Sequence, residues 1–202
     1  MLRIRNVRMT DPLQKLFGSA ARVKLLRLFL FNPKGVFTVP EASARARAPE
    51  RTVRKEINVF YTSRLVRKIP TRKRSGSRWG LNENFTHLAA FQNLLLNAPA
   101  RGEDLYERVR KAGTIKLIVV AGIFVGDWDG RLDLLLVGDR INERALRGRM
   151  RALESELGKE LRYALLSQND FLYRYNMNDK LVRDVFDYPH KVVFDRINIG
   201  LK

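Results

Sequence analysis

Two short stretches constrain this chain more than any others: TIKLIVV at 114–120 and LDLLLV at 132–137. Apolar residues fill successive positions rather than alternate ones, so an extended chain there must be covered on both faces. The longest uncharged apolar run, Leu117 to Val125, is about half the length of a membrane-spanning helix. Both stretches are therefore read as internal strands that need partners beside them and layers above and below. The neighbouring sequence offers those layers. Ile141–Gly158 reads as a helix, LRYALL at 161–166 as a third strand, 169–175 and 178–188 as short helices, and 190–194 as a last short strand. Strands alternating with helices predict an α/β or α+β layer.

Charge separates this half of the chain from the other. The formal net charge is +18, and residues 1–100 carry 20 Lys+Arg against 5 Asp+Glu, whereas 101–202 carry 19 against 16. A first half at +15 and a second at +3 point to an anionic partner for the first half, nucleic acid or an anionic membrane surface. With no cysteine there is no disulfide and no thiolate metal site, which fits a reducing cytoplasm. His87 and His190 lie far apart and are read as helix or turn residues rather than metal ligands. The basic stretch LRIRNVR is followed by no apolar signal core, so a cytoplasmic protein with no membrane contact is expected.

In the first half, LQKLFGSAARVKLLRLFLF (13–31) carries a broad apolar stripe at helical spacing, with Gly18 and Ser19 as a break. Lys24 and Arg27 interrupt the stripe and are read as its wet edge. Val36–Val39 is a strand candidate, and Pro40 opens a short helix. In APERTVRKEINVFYTSRLVRK (48–68), Pro49 and Glu50 suit a helix start, and Val53, Ile57, Phe60 and Tyr61 form the predicted buried face. Arg51, Thr52, Arg54, Lys55 and Asn58 then face outward, a donor set suited to base edges and phosphates. Glu50 and Glu56 are outnumbered there. Leu65–Ile69 and Arg78–Leu81 read as two short strands around a basic turn, placing Arg72, Lys73, Arg74 and Arg78 at the tip or flanks of a hairpin.

The order of helix, short helix, basic helix and basic hairpin over residues 13–82 resembles the winged helix-turn-helix of small arsenical-repressor-like regulators. PERTVRKEINVFYTSRLV is similar to that family's recognition helix and its exit into the wing. The chain departs from the pattern at Arg64, where the family often has glycine; either the helix ends differently or it carries a small strain. Phe85–Leu96, apolar on more than one side, is read either as a dimerisation helix or as an internal packing helix, with Glu103–Lys111 a more polar helix after it.

The second half resembles the minimal nucleotidyltransferase domain, in which a Gly-Ser pair precedes a strand carrying two aspartates one residue apart. Those aspartates hold divalent ions, and a later strand supplies a third carboxylate. Here the Gly-Ser pair falls on Ala121-Gly122, the loop glycine on Gly126, and the aspartate pair on Arg131 and Asp133. LRYALL offers no carboxylate, while Asp127 and Asp129 lie in the loop. An arginine at the first ligand position repels a metal. The resemblance therefore implies a degenerate domain with no catalytic residue, no metal and no cofactor. It would serve either dimerisation or ligand sensing, with Gly122, Gly126, Arg131 and Asp133 as a candidate pocket for a small anionic ligand.

The expected protein is α+β, with a winged helix-turn-helix at 10–84, linker or dimerisation helices at 85–112, and a nucleotidyltransferase-like domain at 113–202. The expected function is sequence-specific double-stranded DNA binding in transcription regulation, as a homodimer. The alternative is an antitoxin-type nucleotidyltransferase that modifies a partner protein.

Overall fold

Asp11 opens the first helix by accepting the amide of Leu13, and Pro12 follows where no hydrogen-bonded N–H is needed. The structure, a computed structural model, describes residues 11–70, 76–96, 102–127 and 130–198. Within these the chain is α+β, with two separate sheets. It divides into two compact units, Met1–Pro99 with Glu154–Lys159, and Ala100–Leu153 with Glu160–Lys202. Helix 88–96 thus belongs to the first unit, and helix 102–109 to the second.

The first unit runs α1 (Pro12–Leu16), α2 (Ala20–Leu30), β1 (Val36–Phe37), α3 (Val39–Ala46), α4 (Glu50–Thr62), β2 (Val66–Ile69), β3 (Arg78–Leu81) and α5 (Leu88–Leu96). The expected break in the first stripe is real: Gly18 is left-handed at φ 69°, and Ser19 caps α2 by accepting from the Arg22 amide. Strand β1 stops two residues short of its expected end because Thr38 is the cap of α3. Strands β1, β3 and β2 form an antiparallel sheet in that order, and α2, α3 and α4 bury Val23, Phe29, Ala42, Val53, Ile57 and Phe60.

The wet edge expected on α2 is corrected at Arg27, which is 1% exposed. Its Nη1 donates to the Glu156 carbonyl at 3.0 Å and its Nε to the Leu95 carbonyl at 3.4 Å. Both carbonyls lie in the last turn of a helix, where no intrahelical donor remains, so the cation caps two helix ends. Asp11 Oδ2 approaches Nη2 to 2.7 Å, an ionic contact rather than an aligned hydrogen bond. Nearby, Asn32 donates to the Leu28 and Gly158 carbonyls. Gly158 is left-handed, and a Cβ on it would lie 2.5 Å from the α2 backbone.

Helix α3 begins with a reciprocal cap. Thr38 Oγ1 accepts from the Glu41 amide, and Glu41 Oε2 accepts from the Thr38 amide at 2.7 Å and from its hydroxyl at 2.9 Å. Those bonds to the ionised form, the backbone one foremost, hold the Glu41 carboxyl below its usual range. A lowered folded pKa gives stability that is present above the unfolded value of about 4.3 and lost as pH falls through the folded value. Thr38→Ala is expected to lower the unfolding free energy by about 1 kcal/mol at neutral pH. Glu41→Gln is expected to flatten the acid limb of stability against pH. Urea titrations from neutral to acidic pH check both; an acid limb unchanged in Glu41→Gln contradicts the linkage.

The second unit runs α6 (Gly102–Val109), a 3-10 turn (Arg110–Ala112), β4 (Thr114–Val120), a second 3-10 turn (Gly122–Val125), β5 (Leu134–Asp139), α7 (Glu143–Leu157), β6 (Tyr163–Leu166), α8 (Gln168–Asn176), α9 (Lys180–Asp187) and β7 (Lys191–Asp195). The end of α7 is counted with the first unit. The sheet order is β6-β5-β4-β7, with β5 and β6 parallel and the other pairs antiparallel. The two apolar runs are therefore its central strands, as their continuous apolarity requires. Leu117, Val119, Leu135 and Val137 share a core with Phe171, Val182 and Val185 from α8 and α9. On the opposite face Ile118, Leu134 and Leu136 are buried as well. No described helix is long and apolar enough to cross a membrane.

Candidate functional site

In the first unit, α4 has two chemically different sides. Val53, Ile57 and Phe60 are buried, while Arg51, Arg54, Lys55 and Asn58 are exposed and Thr52 is half-buried. Tyr61, expected in the buried face, is instead 49% exposed and meets Trp79 edge-on. Near the end of the helix its ring leans on β3 rather than entering the core. Glu56 is the second departure. Its carboxylate is buried and accepts from Arg22 of α2, Nε at 2.8 Å and Nη2 at 3.4 Å. The acid that would have diluted the outer face is thus spent inside. On α4 itself, Glu50 stands near the exposed cations, 3.9 Å from Arg54.

The expected hairpin is partly described. Strands β2 and β3 pair antiparallel from Val66↔Leu81 to Ile69↔Arg78. Arg72, Lys73 and Arg74 lie outside the described residues. Arg78 is half-buried, and its Nη2 donates to the Val36 carbonyl at 3.3 Å. Arg67 and Lys68 on β2, not singled out from the sequence, are exposed.

In the second unit, the four residues expected to share a pocket do not all meet. Asp133 is fully buried. Its Oδ1 accepts from the Ile123 amide at 3.1 Å and Arg162 Nη2 at 3.0 Å; its Oδ2 accepts from the Arg162 amide at 2.8 Å and Nε at 3.1 Å. Four donors occupy the roughly four lone-pair sites of a carboxylate, which leaves no site for a cation. Gly122 lies against this carboxylate: a Cβ there would be 2.3 Å from Asp133 Oδ1, and its φ of 53° is left-handed. Only glycine lets the 3-10 turn pack so close.

Arg131 goes elsewhere. Its side chain is 71% exposed, and its Nη1 pairs with Asp184 Oδ2 at 2.9 Å. The expected strand began at Leu132, but β5 begins at Leu134. Residues 131 and 133 therefore precede the strand, and the alternation that would place them on one face does not apply. Gly126 is left-handed at φ 85° and ends the 3-10 turn in open space. Of the loop acids, Asp127 Oδ1 accepts from the Gly130 amide at 3.0 Å, and Asp129 lies outside the described residues.

A cavity of about 560 Å³ does open beside Gly122 and Arg131, with Leu132, Val185 and Tyr188 in its lining. Leu181, Asp184, Val185 and Tyr188 reach it at i, i+3, i+4 and i+7, one side of α9 continued past its end. That spacing was readable in the sequence. Arg131 and Lys180 face Asp127 and Asp184 around it, so its formal charges cancel. Among the described residues, no three His, Cys, Asp or Glu side chains group as a metal site. Set against family models, curated proteins and solved structures, the chain matches none.

Proposed function

We propose that this chain is a sequence-specific double-stranded DNA-binding regulator, with a winged helix-turn-helix as its first unit. The observation that carries the reading is α4, whose exposed side offers Arg51, Arg54, Lys55 and Asn58 while its one buried acid is neutralised by Arg22. The antiparallel pair β2-β3 after α4, with β1 joined to β3, supports it, since a basic helix followed by a hairpin is how such domains meet a groove and its flanking phosphates. Helix α5 supports a homodimer. It has no ionisable residue, and Leu94 is 46% exposed in a chain of high positive charge. Sedimentation that shows a monomer at every concentration removes the dimer.

For the second unit we propose a nucleotidyltransferase-like domain without catalysis, used for dimerisation or for sensing a small ligand. The saturated Asp133 supports the silent reading. An anionic ligand in the adjoining cavity has to take Arg131 from Asp184, so affinity for it is expected to rise in Asp184→Asn. If Asp184→Asn leaves binding of anionic ligands unchanged, that route is closed. Transfer of label from ATP with Mg²⁺ that disappears in Asp133→Ala overturns the silent reading.

The test of the whole is binding to the protein's own upstream DNA against random duplex across a salt series. Upstream DNA is expected to bind at least three decades tighter, roughly the lower end for specific proteins. Equal, weak binding to both ends the sequence-specific reading. Arg54→Ala and Asn58→Ala are expected to change sequence preference, whereas Arg72→Glu with Arg74→Glu weakens all duplexes alike.

A further inference from the structure

Helices α3 and α4 end alike. Past α3, the Arg47 amide donates to the Ala44 carbonyl and the Ala48 amide to the Ser43 carbonyl; past α4, the Arg64 amide donates to Tyr61 and the Leu65 amide to Phe60. Each is the paired-bond terminus whose penultimate residue is left-handed, and the φ values are 50° at Arg47 and 63° at Arg64. Glycine takes that conformation freely, and a residue with a Cβ does not. The same molecule follows the rule elsewhere. The left-handed residues after α1, α7 and α8 are Gly18, Gly158 and Asn178.

Both arginines are exposed, and among the described residues neither guanidinium meets a carboxylate or a hydrogen-bond acceptor. The paired terminus bonds, and the Asn82 side-chain amide that donates to the Arg64 carbonyl at 2.8 Å, hold this backbone whatever the side chain. Among the described residues the arginine side chains add nothing to it, so an outside partner is the source of a gain for them. Their placement says which. Arg47 precedes α4 and Arg64 follows it, and α4 has 13 residues. Such a helix is about 20 Å long, against a major groove about 12 Å wide. Seated in that groove, it brings both ends to the bordering backbones.

We propose that Arg47 and Arg64 are phosphate anchors that clamp the two ends of α4 on duplex DNA, kept as arginine at positions where folding alone favours glycine. The proposal rests on the DNA-binding reading above and goes beyond it by adding a contact pair outside the outward face of α4. It separates two quantities that an ordinary surface residue would not. Arg47→Gly and Arg64→Gly are each expected to weaken binding to a labelled random-sequence duplex by roughly 8-fold at 0.1 M salt, and to lower the salt slope by about 0.9, the counterion-release values for one phosphate. The same variants are expected to melt no lower than the parent, with a gain of up to about 4 °C. Arg140→Gly is the control. It is also left-handed and exposed but lies in the second unit, so it repeats the stability effect and the loss of one charge without the loss of binding.

Arg47→Lys and Arg64→Lys keep the charge and are expected to retain most of the affinity, even if a glycine variant loosens the fold. Unchanged affinity in both glycine variants overturns the clamp while leaving the DNA reading intact. An equal loss in Arg140→Gly also overturns it, as a mere effect of net charge. A parent chain that binds no duplex overturns the DNA reading and the clamp together.

Discussion

Arg27→Ala is expected to lower the unfolding free energy by about 3–5 kcal/mol, the range for breaking a buried ion pair by removing one partner. Three losses coincide at this residue. Asp11 keeps a charge with no counter-ion at a side chain only 13% exposed. The Leu95 and Glu156 carbonyls lose their donor in the last turns of α5 and α7, where no amide can replace it. The long apolar stem leaves a void in a helix whose neighbours Leu25, Leu26, Leu28 and Phe29 are all buried. Against a total of about 5–15 kcal/mol for a domain, this single change removes a large share. Arg27→Met separates the terms, because it refills the stem and restores no donor. Adding Asp11→Asn to it should recover part of the loss by removing the stranded charge. Denaturant midpoints measure all three variants, and a cost below about 1 kcal/mol for Arg27→Ala refutes the capping role.

Arg27 also shows where local reading of this chain ends. Position in the stripe made it a wet edge, because a charged residue among apolar ones ordinarily lies at the margin. Its partners are 68 and 129 residues away, beyond the reach of any periodicity. Glu56 was hidden for the same reason, since the sign of a charge is local but its partner Arg22 is 34 residues distant. What was legible followed from short-range rules. The breaks at Gly18 and Ser19, the central strands β4 and β5, and the extent of α4 come from backbone freedom, double-sided burial and helical period, each acting within a few residues.

The second unit adds a subtler failure. The spacing of 131 and 133 carries meaning only inside a strand, and the strand starts one residue after them. Arg131 turned outward to Asp184 and Asp133 inward to Arg162. LRYALL lacks a carboxylate, but the cation at its second position is the larger fact. A buried carboxylate needs a counter-charge, and the Arg162 guanidinium supplies it with two bonds, to which the Arg162 backbone amide adds a third.

Changing Arg51, Arg54 and Lys55 together to alanine is expected to reduce affinity for duplex DNA by about 500-fold at 0.1 M salt and to flatten the salt slope by about 2.7, at 0.9 for each cation. The fold should not answer for the loss. All three side chains are exposed, and among the described residues their one ion pair, Arg54 with Glu50, is a surface contact of 3.9 Å. Such pairs contribute at most about 1 kcal/mol, and alanine is the better helix former at each position. The thermal midpoint should therefore stay near that of the parent. A slope that does not change would mean that α4 faces something other than phosphates, and the cationic surface that binds would have to be sought on Arg67, Lys68 or the residues between β2 and β3. A slope that changes equally for upstream and random duplex, with the gap between them kept, would mean that these three cations hold the backbone and that base reading falls to Asn58 and Thr52. A slope that changes with a narrowed gap would place at least one of the cations on a base edge, because only a contact that distinguishes sequences can remove the distinction when it is lost.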